Sequence, residues 1–180
     1  MDLTEHCISS EVVAEGGILT VKRDQVRLPN GHASYREYVM HPGAVVIVPL
    51  LPNGNVVLEK QFRYPLHQVF IELPAGKIDM GEEILITGQR ELLEETGYSA
   101  TEWVKLGHQH PCIGYSNEVI HMFLARGLTL GSHQRDEDET LEVFEASFEH
   151  CLTMIQNGQI TDGKSIVALL LAEKYLNSLV

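Results

Sequence analysis

The chain has 180 residues, 44% hydrophobic and 21% charged, which suits one soluble domain with a sizeable core and excludes an intrinsically disordered profile. Its net charge of −12 disfavours a nucleic-acid backbone as main partner, since that calls for basic patches, while a nucleotide stays admissible where a divalent cation and a few arginines reverse the local charge. Cys7, Cys112 and Cys151 form no CxxC pair and read as free thiols of a reducing cytoplasm, and neither a signal peptide nor a membrane-length apolar run is expected.

In chain order, residues 12–14, 18–22, 25–28 and 35–40 read as short strands, with turns at Gly16-Gly17 and Pro29-Asn30-Gly31. Residues 1–40 are therefore expected to form an N-terminal antiparallel β segment too small for a core of its own. Residues 41–180 form the main domain. Residues 43–51 are an unbroken apolar run, expected as a strand buried on both faces. Pro52-Asn53-Gly54-Asn55 is expected to be a hairpin turn returning through a strand at 56–63, with another strand at 68–73.

The pattern predicts a helix over 82–96, with Ile84, Leu85, Leu92 and Leu93 at helical spacing and Gly97 at a left-handed C-terminal cap. Strands are expected at 103–109 and 119–125. Ser147 suits the N-cap of a helix ending near Gly158, and Thr161 or Asp162 suits that of the last helix. The fold class is mixed α/β.

The most informative stretch is Arg90-Glu91-Leu92-Leu93-Glu94-Glu95-Thr96-Gly97. Glu91 lies one turn from both Glu94 and Glu95, so the carboxylates cluster on one side of the helix. Like charges so placed destabilise a helix by about 0.2–0.5 kcal/mol per pair, and near the C-terminus they oppose the helix dipole. A bound divalent cation removes the conflict, because Mg²⁺ and Mn²⁺ favour hard oxygen ligands. A solvated acidic face is the alternative. The nine histidines show no HExxH or comparable spacing and read as structural or surface groups.

The surroundings weigh against the solvated face. Gly76, Glu82, Arg90, Glu91, Glu94, Glu95 and Gly97 stand at every fixed position of G-x5-E-x7-R-E-U-x-E-E-x-G-U, with Leu92 at the first bulky apolar position U and Tyr98 at the second. This resembles the Nudix box. Tyr98 departs mildly, an aliphatic residue being usual there, and Gly88 in mid-helix costs about 1 kcal/mol relative to alanine unless close packing requires it. Around the box, Gln61-Phe62-Arg63-Tyr64-Pro65, Glu72-Leu73-Pro74-Ala75-Gly76, Pro111 to Glu118, and Asp162-Gly163-Lys164-Ser165 resemble the ADP-ribose pyrophosphatase branch of that family. Pro111 stands two residues before the position, Ile113, where that branch often carries proline.

The resemblance implies an α/β (α+β) fold, a Nudix-type α/β/α sandwich with a mixed sheet, preceded by the N-terminal β segment. It implies Glu91, Glu95 and the carbonyl of Ala75 as metal ligands, Glu94 as a further ligand or support, and Arg90 orienting the glutamates. Glu82 would bind metal-linked water or cap the helix. Arg63 would grip phosphate or ribose, Glu72 would accept from ribose hydroxyls, and Arg36 would reach the nucleotide across a dimer. In the acidic stretch 132–142 the resemblance places a general base at Glu137 and a metal ligand at Glu139; read from composition alone, that stretch is a solvated loop.

The expected activity is Mg²⁺-dependent hydrolysis of ADP-ribose to AMP and ribose 5-phosphate by a cytoplasmic homodimer that exchanges its N-terminal strands. The alternatives are another nucleoside diphosphate sugar, such as GDP-mannose, or a non-catalytic nucleotide sensor. A sensor would be expected to lose box glutamates, and all are present.

Overall fold

The computed structural model describes residues 2–17, 19–131 and 140–179. Contacts divide the chain into two compact units, Met1–Gly43 with His110–Val119, and Ala44–Gln109 with Ile120–Val180.

In the first unit, β1 (His6–Glu15), β2 (Thr20–Arg27) and β3 (Ala33–Met40) form an antiparallel sheet in that order. The two short runs expected at 18–22 and 25–28 are a single strand, β2. Gly31 takes the left-handed backbone of its turn, at φ 86°. Residues 110–119 join this unit. Val39 N–H donates to the Tyr115 carbonyl at 2.8 Å, and His41 N–H donates to Asn117 Oδ1 at 2.7 Å. Every residue of β1 is exposed.

The second unit contains β4 (Ala44–Pro49), β5 (Asn55–Arg63), β6 (Gln68–Glu72), β7 (Ala75–Lys77), helix α1 (Ile84–Thr96), β8 (Tyr98–Gln109), β9 (Ile120–Leu130), β10 (Leu141–Ser147), α2 (Phe148–Gln156) and α3 (Gly163–Asn177). Its mixed sheet runs β7-β4-β9-β8, with β4 and β9 parallel and the other pairs antiparallel. A second, antiparallel sheet runs β10-β5-β6.

Strand β4 is buried along its whole length, as its unbroken apolar run requires. Ala44, Val46 and Val48 pack in one cluster with Ala168, Leu169 and Ala172 of α3. Val45 and Ile47 pack in another with Leu92 of α1 and Phe123 and Ala125 of β9. Helices thus cover both faces of the mixed sheet. Gly88 explains how closely α1 lies: a Cβ there would meet Val45 Cγ1 at 3.2 Å and Trp103 Cζ3 at 3.5 Å. The helix caps follow the sequence. Gly97 adopts φ 76°, Ser147 accepts from His150 N–H, and Asp162 accepts from Ser165 N–H.

Several elements differ from the sequence pattern. Residues 52–55 do turn, with Leu51 N–H donating to the Asn55 carbonyl at 2.8 Å. Yet β4 and β5 do not form a hairpin ladder beyond the Leu50–Val56 bridge. β4 takes β7 and β9 as its neighbours, and β5 enters the other sheet. Helix α1 starts at Ile84 rather than 82, and its N-cap Glu83 makes no side-chain cap bond. β8 begins at Tyr98 rather than 103, directly after the helix cap. No helix among the described residues is long and apolar enough to cross a membrane.

Candidate active site

The box forms a strand, a loop and a helix. β7 pairs with β4 through Ala75–Val46, Gly76–Val45 and Lys77–Ala44, which sets its backbone beside α1. Glu91 and Glu95 face that backbone and are 8% and 2% exposed. A Cβ built on Gly76 would lie 1.9 Å from Glu91 Oε1 and 2.0 Å from its Cδ. Only glycine lets the Glu91 carboxylate rest there. Next to it, Ala75 N–H donates to Glu95 Oε2 at 2.9 Å.

Arg90 organises the carboxylates. Its Nε and Nη2 donate to Glu82 Oε1 and Oε2, both at 3.0 Å, while Nη1 donates to Glu91 Oε1 at 2.8 Å and Glu94 Oε2 at 2.9 Å. Nη2 also donates to the Lys77 carbonyl at 3.2 Å. One guanidinium therefore spans three glutamates and the β7 backbone, and these carboxylates raise its pKa, the Glu82 hydrogen bonds most of all. Glu82 is not a helix cap. It accepts from Arg90 and from Thr87 Oγ1 at 2.8 Å, and these bonds, Arg90's foremost, hold its carboxyl at about 2.

Glu91 and Glu95 offer hard oxygens one helical turn apart in a shielded groove, a donor set suited to Mg²⁺ or Mn²⁺. Among the described residues no three acidic, histidine or cysteine side chains converge into a preformed metal cage. Glu137 and Glu139, expected from the sequence to take part, lie outside the described residues.

A second cluster lies where β5, β6 and the start of α3 meet. Arg63 Nε and Nη2 donate to the two oxygens of Glu72, both at 2.7 Å. Lys164 Nζ donates to Glu72 Oε2, and to Asp162 Oδ2 at 3.0 Å. Ser165 Oγ donates to Asp162 at 2.6 Å and accepts from Leu73 N–H at 2.8 Å, tying α3 to the segment before the box. Glu72 is 2% exposed. Burial pushes its carboxyl up, but the Arg63 fork and Lys164 outweigh burial and hold it below the usual carboxylate value. Arg63, Leu66, Phe70, Glu72, Asp162 and Lys164 line a cavity of about 280 Å³.

The structure thus pairs Arg63 with Glu72, as two residues singled out from the sequence, and adds Lys164. Both Glu72 oxygens are engaged by cations, so it serves here as an anchor for them. Asp162 and Lys164 were visible in sequence only as a cap and as part of a resembling motif. Arg36 lies in the first unit, where its Nε and Nη2 hold the Glu5 carboxylate at 2.8 and 2.5 Å.

Comparison with known proteins shows the family. A NUDIX domain model matches residues 40–165. The chain belongs to the Nudix family. Residues 5–39 match the nucleoside diphosphate sugar hydrolase N-terminal domain. An ADP-ribose pyrophosphatase of Bacillus subtilis (strain 168) is 39% identical over 93% of this chain and 91% of its own. A methanol dehydrogenase activator of Bacillus methanolicus is 36% identical over 92% and 90%, and a GDP-mannose pyrophosphatase of Yersinia enterocolitica is 35% identical over 73% of each. A crystal structure of an ADP compounds hydrolase shares the fold at a TM-score of 0.90 and 22% identity, over 99% of this chain and 98% of that one. This is a Nudix nucleoside diphosphate sugar hydrolase, similar to ADP-ribose pyrophosphatases.

Proposed function

We propose that this Nudix hydrolase uses Mg²⁺ to hydrolyse ADP-ribose to AMP and ribose 5-phosphate. Water adds to one phosphorus as the bridging P–O bond breaks. The observation that carries the chemistry is the Gly76 groove, which admits the Glu91 carboxylate beside Glu95. The substrate choice is supported by the near full-length similarity to the B. subtilis ADP-ribose pyrophosphatase.

In this reading Glu91, Glu95, the Ala75 carbonyl and Glu139 hold Mg²⁺, for which Mn²⁺ can substitute. The ion, when bound, neutralises charge developing on the phosphoryl oxygens and acidifies water. Arg90 fixes the Glu91 and Glu94 side chains, and Glu94 supports the ligand pair. Glu137 takes the proton from the attacking water. Arg63, held by Glu72 and flanked by Lys164, presents a guanidinium that can grip phosphate oxygens bidentately. Arg36 exchanges Glu5 for the nucleotide across a homodimer that swaps its first 40 or so residues, and the enzyme works in the cytoplasm.

GDP-mannose is the second reading, favoured by the similarity to GDP-mannose pyrophosphatases. Phosphate-coupled hydrolysis of ADP-ribose, GDP-mannose, UDP-glucose, NADH and diadenosine polyphosphates with Mg²⁺ separates them. ADP-ribose is expected to have the highest kcat/KM. A preference for another member overturns the substrate and keeps the family chemistry.

A further inference from the structure

The mixed sheet of the second unit carries two histidines side by side. His108 of β8 and His121 of β9 are direct cross-strand partners, so both side chains leave the sheet on the same face. Their ring centroids lie 6.0 Å apart, with the planes tilted by 46°. On its other edge β9 neighbours β4, where His121 is opposite Val45, and Val45 in turn is opposite Gly76. Gly76, Val45, His121 and His108 therefore form one row across four strands. The Glu91 carboxylate rests at one end of that row, and the imidazole pair stands at the other. At about 4.8 Å per strand, three steps put His108 about 14 Å from Gly76. The pair is separate from the carboxylate groove.

His108 is exposed and His121 is partly buried. Nδ1 of His121 is buried and has no hydrogen-bond partner, so the fold leaves that nitrogen without a task. Burial, and then the charges of Lys105 and His108, lower the His121 pKa. The ring is therefore neutral at pH 7 and keeps a lone pair for a metal. The spacing of the rings fits a shared ion. With a metal–nitrogen bond of about 2.1 Å, a ring centroid lies about 3.2 Å from the ion, so two rings on one ion stand about 5.2 Å apart at a tetrahedral angle and about 6.4 Å apart when linear. The observed 6.0 Å lies between these limits. Imidazole suits Zn²⁺, Ni²⁺ and Cu²⁺, whereas Mg²⁺ takes oxygen ligands.

We propose that His108 and His121 form a second metal site, a two-imidazole clip for a borderline transition ion such as Ni²⁺ or Zn²⁺, with water in the remaining positions. Among the described residues no third histidine, cysteine or acidic side chain completes a group with them, so the ion is exchangeable rather than structural. Lys105 works against it. A positive charge near enough to lower the His121 pKa also opposes a divalent cation. The site does not depend on which substrate the box cleaves.

The probe is Ni²⁺, added to the whole chain in a large excess of Mg²⁺ that competes for carboxylate oxygens. Titration calorimetry reads the affinity, and paramagnetic broadening of backbone amide signals reads the place. In the wild type the signals of residues 106–109 and 120–122, around the pair on β8 and β9, should broaden first. His108→Ala changes an exposed side chain and should leave Tm unaltered while weakening Ni²⁺ binding by at least about tenfold. His121→Ala should weaken it equally, and the double variant by no more than about as much again as either alone, since one imidazole cannot clip the ion. Lys105→Gln should tighten binding about twofold to fivefold. Unchanged affinity in His108→Ala, no gain in Lys105→Gln, or displacement of Ni²⁺ by Mg²⁺ would each overturn the site. So would broadening confined to residues around other histidines or around Glu91 and Glu95.

Discussion

Gly76→Ala is the sharpest perturbation of the box. The new methyl would sit 1.9 Å from Glu91 Oε1, against the 3.4 Å at which ordinary contact begins. The clash is with the carboxylate itself, which lies against β7 and is held by Arg90 at 2.8 Å. Glu91 must therefore withdraw by about 1.5 Å, and a misplacement of about 1 Å in a catalytic constellation can cost about 100-fold. The variant should lose about 100-fold or more in kcat/KM, with Mn²⁺ affinity falling in parallel by titration calorimetry. Stability should suffer less. Swinging out one buried carboxylate costs about 1–3 kcal/mol, or roughly 2–12 °C in Tm for a chain this long. The assay is phosphate-coupled turnover beside thermal unfolding of the same preparation. Wild-type turnover and metal affinity in Gly76→Ala would refute the view that the Glu91 carboxylate works from this groove.

Glu95→Gln keeps an oxygen for the Ala75 N–H bond while removing the negative charge of a proposed metal ligand. Turnover should drop by at least about 100-fold with Tm nearly unchanged, measured by steady-state kinetics and calorimetry. Arg63→Lys keeps the charge but loses the fork on Glu72; Lys164 still neutralises that buried carboxylate, so the protein should fold while KM for ADP-ribose rises about 10–100-fold. For acid stability, the Glu82 carboxyl is lowered from 4.5 to about 2. Its contribution is fully present above about pH 4.5 and is lost as the pH falls through about 2. Urea midpoints should therefore fall more steeply over that window in the wild type than in Glu82→Gln, and parallel curves would contradict the Arg90–Glu82 account.

Much of the box could be read from the sequence because its signal is local. Like charges one turn apart, a glycine at the helix end and another within β7 each carry a cost that only a particular backbone or a bound cation relieves. Caps were legible for the same reason: Ser147 and Asp162 each act on a donor three residues ahead. β7 was not, since three residues, Ala75–Lys77, are too few to show a period of two. The fate of β5 was equally hidden. A turn at 52–55 fixes the local chain reversal but not which strand supplies the next ladder, and β4 gained a parallel neighbour from β9, more than 70 residues on. Lys164 and Glu72 stand 92 positions apart, so their pairing follows from how α3 docks and from no local pattern. The packing reason for Gly88 also came from outside its helix, in Val45 and Trp103.

The most direct test of the account is ³¹P NMR of ADP-ribose turned over in ¹⁸O-labelled water with Mg²⁺, by the wild type and by Glu95→Gln. The account predicts AMP and ribose 5-phosphate as the two products, label in only one of them, and loss of the reaction on chelation or in the variant. Intact ADP-ribose with the wild type and Mg²⁺, or undiminished cleavage by Glu95→Gln, would contradict it.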